Sequence, residues 1–235
     1  MKKTLLCGVC VVLLAGCGSK TSNSTGTGGN GGYVAPAQTI FLGDVITQYW
    51  PLATSAAFDI SVSNGTAFDF EEFAGKCESG CTPSALQADA PGMKRVVITV
   101  GEFDALQLCY GSTIDNPSAD FSSDLDALVR STQSVFGLQV WLGTVPPIYN
   151  SSGTQVCAAQ TASINQQIAA VGAQEGATVV NLSGAIASSA DTNLTLEFAG
   201  QGAGQNPIIY YDDTYYLPNA TGFAAMTALY NQTNQ

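Results

Sequence analysis

The sequence predicts a three-layer α/β sandwich built on a mostly parallel central sheet, and three observations predict it. Short apolar runs rich in β-branched residues recur along the chain. Amphipathic helical stretches separate the later runs, the alternation that layered α/β folds share. The strongest run is apolar almost throughout, as a strand covered on both faces is.

The first strand is expected at residues 39–42, an apolar run that ends in Gly43-Asp44 and so delivers a polar side chain at its carboxyl end. A second is expected at 58–62, running into the turn dipeptide Asn64-Gly65 and then a helical stretch at about 67–74. Residues 94–100, Lys-Arg-Val-Val-Ile-Thr-Val, are the strongest strand, β-branched from Val96 and closed by Gly101. The clearest helix falls at 118–136, where Phe121, Leu125, Leu128, Val129 and Thr132 draw one apolar stripe. Asp120, Asp124 and Asp126 lie near its start, where the helix dipole favours negative charge. Residues 138–145 read as a strand ending in Pro146-Pro147. A helix at 157–174 sets Ile164, Ile168 and Val171 on one face, a strand follows at 177–182, and a last helix at about 220–230 repeats Phe223, Met226 and Tyr230. In such sheets ligands sit at the carboxyl ends of the strands, so the residues just after each strand carry the functional information.

Residues 1–16 read as a signal peptide, with Lys2 and Lys3 ahead of an apolar run too short for the ~20 residues that span a bilayer. Leu14-Ala15-Gly16-Cys17 is similar to the bacterial lipobox, whose cysteine takes lipid and becomes the mature N-terminus. Gly18 stands where an aspartate would mark inner-membrane retention, which favours the outer membrane or cell surface. Residues 17–38 then form a lipidated Cys17 and a flexible Ser/Thr/Gly tether, and 39–235 form one domain. Removing Lys2 and Lys3 leaves five basic residues against eighteen acidic, a net charge of −13. Such a surface repels nucleic acid and suits solubility, cations or neutral glycans.

Cys7 and Cys10 leave with the signal and Cys17 takes lipid, so four of the seven cysteines remain in the domain. In an oxidising compartment they make two disulfides. Of the three pairings, Cys77 with Cys81, closing Cys-Glu-Ser-Gly-Cys, and Cys109 with Cys157 are expected. Zinc would need the same sulfurs as thiolates, and the chain has no second clustered pair and no histidine to complete such a site. No metal and no cofactor are expected.

The order of motifs resembles the SGNH or GDSL hydrolase family from residue 39 to about 230. Phe41-Leu42-Gly43-Asp44-Val45-Ile46-Thr47 is similar to its first block, in which Gly-Asp-Ser-Ile-Thr carries the nucleophile; Val45 stands in the serine position. Val100-Gly101-Glu102-Phe103-Asp104 looks like the third block, Gly-x-Asn-Asp, with Phe103 in place of the oxyanion-binding asparagine. Val145-Pro146-Pro147 and Ile164-Asn165 match the spacing between the third and last blocks. Residues 213–223 are similar to the last block, Asp-x-x-His followed by Pro-Asn and Gly-Tyr, with the histidine position falling on Tyr216 or Leu217. The second block is not carried over. The resemblance implies a flavodoxin-like layered fold and, with its substitutions, no Ser-His esterase. Valine offers no lone pair and phenylalanine no donor, and the chain contains no histidine, the usual base near neutral pH. Triad members act as a unit, so losing nucleophile and base together removes on the order of 10⁶-fold in rate.

The strand-end edge then holds Asp44, Glu102 and Asp104, with Asp212 and Asp213 on the last loop and Phe103, Tyr110, Tyr215 and Tyr216 nearby. Rings and carboxylates suit a sugar, a hard cation takes six to eight oxygens, and a carboxylate pair can run acid–base chemistry without histidine. Equally, Asp44 can cap the following helical turn, Asp212 and Asp213 can shape a turn, and Glu102 and Asp104 can be solvated or brace a loop. Three functions stand: a catalytically disabled, envelope-tethered domain that binds or assists; a carboxylate-using hydrolase of ester or glycosidic bonds in envelope polymers; and a structural lipoprotein whose cleft its own side chains fill. The partners these imply are the membrane, through lipid on Cys17, and a glycan or small-molecule ligand, with no nucleic acid.

Overall fold

The computed structural model describes residues 38–54, 56, 58–61, 66–67, 70, 91–110, 121–150, 154–187, 197–198, 209–210, 213–218 and 220–233. The expected signal peptide, Cys17, the expected tether up to residue 37, Asn64-Gly65, Cys77, Cys81, Asp120 and Asp212 lie outside the described residues, as does most of the helical stretch at 67–74.

In chain order the elements begin β1 (Thr39–Gly43), α1 (Val45–Tyr49), α2 (Pro51–Thr54), β2 (Phe58–Ser61), β3 (Arg95–Thr99), α3 (Glu102–Tyr110), α4 (Phe121–Phe136) and β4 (Gln139–Gly143). They continue β5 (Ile148–Asn150), β6 (Gln155–Val156), α5 (Ala158–Glu175), β7 (Thr178–Val180), α6 (Leu182–Ala187), β8 (Glu197–Phe198), β9 (Ile209–Tyr210), β10 (Asp213–Leu217) and α7 (Ala220–Thr233).

The central sheet has the order β2-β1-β3-β4-β7, parallel throughout. Its register runs Leu42 to Ile98 to Leu142 to Val179. Because side chains alternate along each strand, the sheet builds two cores. Ile40, Leu42, Val96, Ile98, Val140 and Leu142 pack under α3, α4 and α5, meeting Leu106, Leu125, Leu128, Ile164 and Ile168. Phe41, Val97, Trp141 and Val180 face the other way, against Trp50, Leu52, Ile186, Phe223, Met226 and Tyr230. That second core is aromatic: Tyr230 lies 5.3 Å from Trp141 and 5.9 Å from Phe41, and Trp50 meets Phe41 edge-on at 5.7 Å. Trp50 Nε1–H donates to Thr227 Oγ1 at 2.9 Å, which satisfies the one polar atom this burial would strand. The result is the three-layer α/β sandwich expected.

The strands and long helices follow the sequence periods to within a few residues, and α5 stops where Gly176, at φ 66°, takes the left-handed conformation and donates back to Gly172 O. Two regions differ from expectation. Residues 102–110, to which the sequence reading assigns no element, form α3. Gly101, at φ 117°, breaks the chain away from β3, and Glu102 and Asp104 then occupy a first helical turn, the favoured place for acids. Asp213, expected in a loop turn, instead opens β10. That strand is the centre of a second, antiparallel sheet, β6-β5-β10-β8 with β9 also on β10. Several of its strands have only two or three residues, too few to carry a readable alternation.

Candidate functional site

The order β2-β1-β3 creates a switch point: the chain leaves β1 for α1 on one face and leaves β3 for α3 on the other. The two strands leave it packed closely together. Gly43 has no room for a side chain, which would strike the Thr99 carbonyl and the Thr47 and Thr99 hydroxyls. Those two buried hydroxyls are hydrogen-bonded to each other. Asp44 N–H donates to Thr99 O at 3.0 Å.

Asp44 is 1% exposed, and both its oxygens are engaged. Oδ1 accepts the Ile46 N–H at 3.0 Å as the N-cap of α1, and Oδ2 accepts the Glu102 N–H at 3.0 Å across the switch point. Glu102 and Asp104 are 4% and 2% exposed. Asp104 Oδ2 accepts the Ala67 N–H at 3.2 Å, while Asp104 Oδ1, Glu102 Oε2 and Gln107 Oε1 are buried with no hydrogen-bond partner. Of the readings offered for Glu102 and Asp104, the solvated one is corrected: α3 turns both into the fold, where Asp104 braces the Ala67 main chain.

Burial raises all three carboxyl groups. Desolvation lifts Asp44 to about 7 against the opposing pull of the Glu102 and Ile46 amides. It lifts Glu102 well above the ordinary glutamate value, and the Asp44 charge adds to it. It lifts Asp104 to about 8, partly countered by the Ala67 N–H, with Asp44 raising it further. Near neutral pH this group is therefore substantially protonated, which is how unpaired acids are tolerated in a core.

Val45 and Phe103 are 1% and 6% exposed and lie in opposite cores, Val45 in the one that holds Phe41 and Trp50, Phe103 in the one that α3 packs on the other face. They do not converge on one pocket. Tyr216 is placed on β10, with its main chain between Tyr149 and Phe198; Tyr215 stands opposite Asn150, and Asp213 opposite Tyr210. Tyr110 ends α3, 41% exposed. Among the described residues the switch point thus offers no nucleophilic hydroxyl at position 45 and no open carboxylate. Among the described residues no group of three or more His, Cys, Asp or Glu side chains is arranged to hold a metal ion. Nor is any described helix long and apolar enough to cross a membrane.

Cys109 and Cys157 form a disulfide, with Cα atoms 5.4 Å apart, tying the end of α3 to the left-handed residue that opens α5. Cys77 and Cys81 are outside the described residues. Beyond the disulfide lies a feature that sequence reasoning missed: an open groove of about 610 Å³ at the carboxyl ends of β4 and β7, lined in part by Thr144, Thr161, Asn165 and Asn181. Asn165 clamps its floor, accepting the Val145 N–H at 2.7 Å and donating to Val145 O at 2.9 Å. Thr144 Oγ1 accepts the Ser183 N–H at 2.8 Å. The match of Val145 and Asn165 to a family spacing is the one trace of this arrangement in the sequence.

No protein-family model matches the chain, and a search of curated proteins finds no match. Solved structures do match. A GDSL-like lipase from Bacteroides thetaiotaomicron is 16% identical, with a TM-score of 0.54 over 83% of this chain and 85% of that one. An acetylxylan esterase from Geobacillus stearothermophilus is 13% identical, with a TM-score of 0.53 over 86% of this chain and 95% of that one. A phospholipase A1 from Streptomyces albidoflavus is 15% identical, with a TM-score of 0.53 over 83% and 98%. The chain therefore has the fold of the GDSL-like lipases and esterases.

Proposed function

We propose that this domain uses a GDSL-type hydrolase fold for binding or accessory work at the cell envelope, without Ser-His esterase chemistry, and is held there by lipid on Cys17. The observation that carries the reading is Val45. It follows the capping Asp44 at the start of α1, where the resembling motif carries its serine, and its side chain is buried among Phe41 and Trp50. A hydroxyl is missing there, and with no histidine in the chain no imidazole exists to activate one. The carboxylate-hydrolase reading gains nothing from the geometry, because the Glu102 and Asp104 side chains of α3 are only 4% and 2% exposed. The structural-lipoprotein reading draws support from the filled switch point, but the open groove beside α5 favours a ligand.

The test is hydrolysis of p-nitrophenyl acetate and butyrate by the purified mature protein. The expected rate is that of the buffer blank. Turnover well above the blank, abolished by Asp44→Asn, overturns the reading. The anchor is tested separately, by incorporation of labelled palmitate in a bacterial host and its loss in Cys17→Ala.

A further inference from the structure

The groove lies against the last strand of the central sheet, and the ladder there leaves one residue facing outward. Gly143 pairs with Val180, and Val180 O accepts the Thr144 N–H at 3.0 Å. In a parallel ladder this turns both main-chain groups of Val180 toward β4 and both groups of Val179 away from it. Among the described residues β7 has no neighbour on its other side. Val179, half-buried and lining the groove, therefore presents an N–H and a C=O at an unpaired edge, the feature that accepts an added strand.

The opposite wall has matching character. From α5 come Ala158, Ala162 and Ala169, small side chains spaced along one flank. Thr161 lies between them, 5% exposed, its hydroxyl buried with no partner. At the groove's end Asn181 has its Oδ1 occupied by the Gly184 N–H at 2.9 Å and by the Thr144 hydroxyl at 3.4 Å, so its NH₂ is the group left to donate. Every side chain lining the groove is uncharged, in a chain of net charge −11. None is aromatic, so a pyranose finds no ring to stack on. The volume is that of an ordinary ligand site, which spans about 300–1,000 Å³.

We propose that this groove binds an extended, uncharged peptide segment, laid along the free edge of β7 and read through its main chain. This rests on the binding reading above and supplies its ligand class. Val179 pairs with one residue of the segment. Alternate side chains of the segment point at the alanine flank of α5, which admits small ones and excludes bulky ones.

The experiment is a titration of the ¹⁵N-labelled mature protein with the neutral peptide acetyl-Ala-Thr-Val-Thr-Ala-amide, followed by amide chemical shifts. Saturable shifts at Val179 and along residues 158–169 are expected. Ala162→Arg, a change at an exposed position whose folding the same spectrum checks, is expected to weaken binding at least about tenfold, and so is methylation of alternate peptide amides. Equal binding of the methylated peptide, no saturable shift at about 1 mM peptide, or shifts confined to other regions overturns the proposal. Stronger shifts of the same resonances by maltotriose also overturn it, by making the groove a saccharide site. Ester turnover would sink the accessory reading and leave a positive titration standing, whereas a negative titration removes the peptide and leaves the esterase result untouched.

Discussion

The main-chain N–H of Glu102 donates to Asp44 Oδ2 at 3.0 Å, joining the residue that leaves β1 to the residue that leaves β3. Through this one carboxyl, α1 and α3, which cover opposite faces of the sheet, share a fixed point. Asp44 is thereby a structural brace at the place where a parallel α/β sheet ordinarily opens to a ligand. There the Asp44, Glu102 and Asp104 side chains are all at most 4% exposed, so the strand ends hold buried acids.

Asp44→Ala removes the cap of α1 and strands the buried Glu102 N–H. A lost cap costs about 1 kcal/mol and an unsatisfied buried donor about 1–3 kcal/mol. Urea unfolding should therefore show a loss of about 2–4 kcal/mol, seen as a lower midpoint with an unchanged slope. An unmoved midpoint would mean that the cap holds nothing that water does not replace.

The three raised carboxyl groups give the pH dependence its sign. Each is protonated more readily in the folded chain than in the unfolded one, so the folded state binds more protons and stability falls as pH rises. The contribution is complete below the ordinary aspartate value of 3.8, is lost through about 7 for Asp44 and about 8 for Asp104, and is level above that. Unfolding free energy should be lower at pH 9 than at pH 5 by a few kcal/mol, because a carboxyl held tenfold more strongly protonated in the fold contributes about 1.4 kcal/mol. Asp104→Asn keeps an acceptor for the Ala67 N–H and cannot ionise, so the fall should become shallower. A stability that rises from pH 5 to pH 9 would contradict the buried, protonated arrangement.

The sequence revealed elements in proportion to their length. The strands at 95–99 and 139–143 and the helices at 121–136 and 158–175 carry enough residues for a period to stand out, and they lie where that period puts them. The short strands of the second sheet do not, and Asp213 consequently looks like turn in the sequence. The absence of histidine was legible because composition alone establishes it, and the valine at position 45 because the residues around it resemble a known motif. The burial of Glu102 and Asp104 was not, since acidic residues in a chain are ordinarily solvated, and only the packing of α3 over the sheet overrides that rule. The groove was hidden for a different reason: Thr144, Asn165 and Asn181 come from three separate segments and share no local pattern.

The Cys109–Cys157 bridge closes a loop of 48 residues. Cross-linking a loop of that size removes chain entropy worth about 4 kcal/mol from the unfolded state, with engineered and native examples ranging from about 2 to 5. Cys109→Ser, or reduction of the native chain, should lower the unfolding free energy by about 2–4 kcal/mol. Because the bridge joins α3 to the start of α5, hydrogen exchange should quicken at both ends of it before it does in the central strands. A reduced protein with unchanged melting temperature would show that the two helices are held by packing alone.

Val45→Ser places a hydroxyl at the position where the resembling motif carries its serine and so tests the proposed absence of Ser-His chemistry. The side chain is 1% exposed beside Phe41 and Trp50, so the change trades apolar contacts for a buried polar atom and should cost about 1–3 kcal/mol. It should produce no ester turnover. A serine there still meets no imidazole, and the nearby hydroxyls of Thr47 and Thr99 are bonded to each other and carry no basic group. Asp44 cannot act as substitute base while both its oxygens accept main-chain amides. Hydrolysis of p-nitrophenyl acetate by folded Val45→Ser above the rate of the parent chain would show that a working base and oxyanion site survive. The closure of the switch point would then rest on position 45 alone.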